Sequence, residues 1–96
     1  MTSKAHEVID ELLQEAASFV RGGDYTGARE RVIFARDELS RLVDSNEVDE
    51  SEAEDLEGDI ELTLDRYEQL VAQWQGQIVA RHARYLARER SAIGAA

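Results

Sequence analysis

The chain of 96 residues contains no cysteine and no proline. Without thiols there is no disulfide framework, no thiol nucleophile and no Cys-based metal site. Without proline, the usual helix breaker is missing, and the abundance of Ala, Leu, Glu, Arg and Gln favours helix over sheet. Long apolar runs are missing too: none approaches the ~20 residues of a membrane span. Met1-Thr2-Ser3-Lys4 leads into an amphipathic, Glu-bearing stretch rather than the apolar centre of a signal peptide. A cytoplasmic or particle-associated protein is therefore expected.

Positive charge is scarce. Eleven basic residues stand against twenty-one acidic ones, for a formal net charge of -10. Such a body repels the phosphate backbone and argues against a general nucleic-acid binder. Ten of the basic residues are Arg and one, Lys4, is Lys. An acidic, Lys-poor surface suits a salt-rich cytoplasm, where counterions screen self-repulsion; Arg-rich coding in a GC-rich genome gives the same composition. Of the 43% hydrophobic residues, thirteen are Ala, which add helix propensity but little buried area. One domain spanning 1–96 with a thin core is the ceiling.

What is present reads as three helices, at about 3–21, 25–43 and 49–90. Ala5, Val8, Ile9, Leu12, Leu13, Ala16, Phe19 and Val20 form one apolar stripe. Gly22-Gly23 ends that helix and Asp24 opens the next. Ala28, Val32, Ala35, Leu39 and Leu42 repeat by fours and threes, so residues 3–43 form a helical hairpin. After the break at Asp44-Ser45-Asn46-Glu47, Asp49 caps a third helix, Glu52 completes a capping box and Val48 staples onto Ala53. From there to Arg90 only Gly58 and Gly76 weaken the pattern, at about 1 kcal/mol each relative to Ala. A break at Gly76, with the last segment folding back as a fourth helix, is the alternative to one continuous rod. Residues 91–96 are expected to form a flexible tail.

A helix of about forty residues is ~60 Å long, against ~30 Å for each of the first two. The hairpin therefore shields only half of it. Leu64, Tyr67, Val71, Trp74, Ile78 and Tyr85 continue the heptad-like stripe, interrupted only at Arg81. An apolar patch of that kind marks a contact surface, so residues 64–88 are the expected oligomerisation half, covered by copies of the chain or by a partner helix. Charge changes sign along the chain. Residues 1–80 hold 20 acidic and 7 basic side chains, whereas 81–96 hold Arg81, Arg84, Arg88 and Arg90 against Glu89 alone. Favourable placement at the negative helix end is the first explanation of this basic tip, which could also dock on the acidic flank of another copy, on an acidic partner or, last, weakly on phosphate.

No catalytic, cofactor-binding or metal-ligating set emerges. His6 and His82 lie on different helices, and neither belongs to a Glu-x-x-His or His-x-x-x-His pair. An EF-hand loop starting at Asp44 would place Val48 on a ligand position and Asp49 where the turn requires Gly. The numerous carboxylates read as a solvated face. The overall expectation is an all-α, non-enzymatic structural or assembly protein, such as a virion or scaffold component, with a monomeric helical adaptor as the alternative.

Two resemblances bear on this. Trp74-Gln75-Gly76 followed by Tyr85-Leu86-Ala87-Arg88-Glu89 resembles the Trp-x-Gly and Tyr-x-x-x-Asp/Glu signatures of the small helical-hairpin substrates of type VII secretion. That resemblance implies export dependent on Tyr85 and Glu89. In that family, however, Trp-x-Gly occupies a mid-chain turn, whereas here it lies within a helical pattern nine residues before the tyrosine motif. Gly23-Asp24-Tyr25-Thr26-Gly27-Ala28 resembles the turn of a tetratricopeptide-type helix pair, but no second copy follows at the ~34-residue period.

Overall fold

Three helices account for nearly all of the backbone in the computed structural model, which describes residues 3–94 and side chains from Ser3 to Arg88. They are α1 (Lys4–Arg21), α2 (Tyr25–Asp44) and α3 (Glu50–Gly94), and the fold is all-α. Each begins on the residue that its sequence offers as a cap. The Ser3 hydroxyl accepts the His6 N–H at 3.1 Å, Asp24 accepts the Gly27 N–H at 2.9 Å, and Asp49 accepts the Glu52 N–H at 2.8 Å. Donors that a first turn would otherwise leave without partners are thereby satisfied.

α1 and α2 end in the same way. Gly23 has φ of 83° and donates its N–H to the Val20 carbonyl at 3.0 Å, while the Asp24 N–H reaches the Phe19 carbonyl at 2.9 Å. Asn46, at φ of 57°, repeats the pattern: its N–H meets Val43 O at 3.1 Å, and that of Glu47 meets Leu42 O at 2.9 Å. Both are Schellman turns, which need a left-handed residue that only Gly, or at some cost Asn, adopts readily. Gly23→Ala should therefore lower stability by about 1 kcal/mol, because the added Cβ opposes the positive φ. Nothing lies within 4 Å of that Cβ, so a loss of several kcal/mol in urea unfolding would contradict this purely conformational account.

These tight turns lay α2 antiparallel on α1 and α3 antiparallel on α2. α2 is the central layer, and α1 and α3 touch each other only slightly. The core runs along the seam: Ala5, Ile9 and Ala16 from α1; Ala28, Val32, Ala35, Leu39 and Leu42 from α2; Leu56, Ile60 and Tyr67 from α3. Four of these eleven are Ala, and they let α2 approach both neighbours closely. Glu15 and Arg31 pair at 3.2 Å across the α1–α2 seam, with the Arg31 guanidinium 5.9 Å from the Phe19 ring centre.

Two features, the role of Glu52 and the end of α3, differ from the sequence reading. The Glu52 carboxylate does not close a capping box; it accepts the Ser3 hydroxyl and so ties the start of α3 to the start of α1. A tertiary donor wins over the local one. α3 passes through Gly76 without a break, which removes the fourth-helix alternative. It also continues to Gly94, so residues 91–94 are helical rather than tail, and the rest of the expected tail, Ala95 and Ala96, lies outside the described residues.

Candidate interaction surface

α2 is 20 residues long and α3 is 45, so an antiparallel α2 can accompany only the first half of α3. The consequence is a sharp boundary. Val71 is buried, and every residue from Ala72 to Arg88 is exposed. The molecule measures 71 × 20 × 16 Å, a short bundle with a bare single helix projecting from one end.

The stripe expected as an interface divides at this boundary. Tyr67 and Val71 are buried, and Leu64 packs against the core, so these three serve the chain's own fold. Trp74 at 41%, Ile78 at 45% and Tyr85 at 59% exposure stand on the bare part. They share a helix face with the buried three, since steps of three and four residues keep side chains on one side. Val79, 67% exposed, and Leu86 widen this face; sequence reasoning missed both. The signal was their position directly after Ile78 and Tyr85, which turns a narrow seam into a broader apolar stripe.

Arg81, Arg84 and Arg88 are all exposed and, with Tyr85, line a shallow groove of about 250 Å³. Arg90 continues the series on the α3 backbone, but its side chain lies outside the described ones. The charges of α3 fall in three blocks. Residues 50–68 hold nine carboxylates and one Arg, residues 69–80 hold no charge, and the Arg cluster begins at 81. His6 pairs with Asp10 at 3.2 Å on α1, whereas His82 is exposed on the bare part of α3. A second groove, of about 420 Å³ between Phe19, Asp24, Gly27, Glu30, Arg31 and Phe34, opens on the hairpin. On α2, the Arg41 guanidinium, 2.5 Å from the Glu38 carboxylate, holds that acid below the ordinary carboxylate range. Both side chains face water, so the pair adds little to stability.

The class defined by this geometry is a small all-α bundle with an overhanging helix. Compared with known protein families, curated proteins and solved structures, the chain matches none. Trp74-Gln75-Gly76 lies inside α3 and not in a turn, so the turn geometry of the type VII substrates is not reproduced. Among the described residues, no helix is long and apolar enough to cross a membrane.

Proposed function

We propose that this chain is a non-catalytic assembly protein, a part of a multi-subunit particle such as a scaffold or virion, that docks helix against helix through the bare half of α3. One observation carries the reading: Trp74, Ile78 and Tyr85 continue the core-facing line of α3 past the point where the chain can cover it. Leaving such a stripe in water sacrifices roughly 25 cal/mol for each Å² of apolar surface. A second helix laid along the stripe recovers that energy, much as α2 does over Leu56 and Ile60. The Arg cluster then adds orientation and a salt-dependent share of the affinity.

Trp74→Ala combined with Ile78→Ala should reduce the assembled mass measured by light scattering and leave the helical circular-dichroism signal of the bundle in place. Neither side chain belongs to the core. Association that persists unchanged in the double variant would remove this surface from the account.

A further inference from the structure

We propose that the bare half of α3 is covered by the same half of a second copy, running antiparallel, with the two bundles at opposite ends of the dimer. This rests on the reading of α3 as a docking surface and names its occupant.

Two arginines fall on the line of the stripe. Arg81 and Arg88 occupy the stripe positions that follow Ile78 and Tyr85, one and two heptads after Trp74. In a parallel pair, each would face its own copy across the seam, so that two guanidinium pairs would be pressed together away from water. Like charges so placed oppose association. Reversing one helix removes the conflict. Heptad layering then sets Trp74 opposite Tyr85 of the other copy, Ile78 opposite its Arg81, and Val71 opposite its Arg88. Arg81 lies along Ile78 of the other copy and extends its charged head to the rim, while Arg88, level with the buried Val71, stays at the edge of the seam. The two aromatic pairs bracket the centre of the seam, where stacking adds to area burial.

Charge order along α3 supports the same choice. Only the antiparallel sense lays the Arg end of each copy across the uncharged residues 69–80 and toward the acidic block of the other. Arg88 comes to rest about one turn from the exposed Glu68, at the end of the hairpin where Asp24 opens α2. Coverage of α3 by its own hairpin ends at Val71, so the apolar seam between two copies begins only beyond that residue. A surface that carries both halves of the complementarity is self-complementary, as an isologous twofold interface requires. The apolar seam of some twenty residues is only about 30 Å long. Such a contact is at the small end of stable interfaces, so charge should weigh heavily in it.

The test uses the unaltered chain at tens of micromolar, with light scattering for mass and small-angle X-ray scattering for length. At an ionic strength of about 0.01 M the expected mass is twice 10.8 kDa. In this register Gly94 of each copy reaches the level of Asp65 of the other, so two rods of 71 Å overlap by about 45 Å and give a maximum dimension of about 100 Å. Raising the ionic strength to about 1 M should weaken the dimer, since screening then acts within about 3 Å. Arg88→Glu, which sets a carboxylate near Glu68 of the other copy, should weaken it by roughly tenfold. A dimer no longer than about 75 Å, the length of two rods side by side, or tightening by Arg88→Glu, overturns the antiparallel pair. A monomer under all these conditions overturns the second copy as occupant while leaving the surface open to another protein's helix. A dimer indifferent to the Trp74 and Ile78 substitutions overturns the surface itself, so the two failures are distinguishable.

Discussion

Ile60→Ala should cost roughly 2–5 kcal/mol of folding stability, a large share of the total in a bundle this small. Ile60 is 1% exposed in the α3 part of the core, and with Ile9, Leu56 and Val32 it is among the largest fully buried side chains. The Ala-rich seam around it leaves few long side chains that could relax into the space, so the cavity persists and its penalty adds to the lost transfer energy. Leu62→Ala, two residues further along the same helix, serves as the control. Leu62 is 75% exposed, and such a change is usually worth no more than about 0.5 kcal/mol. Urea unfolding should show a lower midpoint for Ile60→Ala at unchanged slope and almost no shift for Leu62→Ala. Equal effects would mean that α3 does not present the described face to α2.

The second large effect concerns what can be removed. A chain ending at Gln73 should keep the bundle's unfolding free energy within about 1 kcal/mol and lose self-association entirely. Among the described residues every buried one lies at or before Val71, so truncation should remove no core contact. The deleted helix has little stability of its own, since isolated helices only modestly longer than a dozen residues are marginal in water. Truncation also strips the Arg cluster and leaves the more acidic part, whose self-repulsion accounts for the small loss allowed. Far-UV circular dichroism and light scattering check both halves of the statement. A truncated chain that fails to fold would show that the overhang supports the core, and the division at Val71 would be wrong.

Much of this architecture was legible in the sequence because its determinants are local. Asp24 and Asp49 cap the helices they precede, and Gly22-Gly23 and the stretch around Asn46 stop the helices they follow. Each signal acts over about four residues and needs no tertiary partner. The continuity of α3 through Gly76 follows equally from the lack of any second breaker nearby. Other features depend on distant neighbours. Glu52 offered a local capping box, and only the fold places the Ser3 hydroxyl where it intercepts that carboxylate.

The boundary of the candidate surface shows the same limit. Leu64, Tyr67 and Val71 are indistinguishable in spacing from Trp74, Ile78 and Tyr85. Which of them meet α2 is decided by the length of α2 and the tightness of the turn at Ser45 and Asn46. A stripe in sequence says that burial is needed, while reach says how much of it the chain supplies itself. Val79 and Leu86 were missed for a related reason: a two-position seam is enough to find a contact line, and its width emerges only once nothing stands beside it.

The cap that opens α1 has a practical corollary. Lys4, the sole lysine, is exposed directly after Ser3, and the Ser3–Glu52 bond fixes that pole beside the root of α3. Its side-chain amine is thus about 50 Å along the rod from Arg88. Lysine-directed tethering to a bead or sensor chip through this one handle would hold the molecules by their feet, with their overhanging ends pointing away from the support.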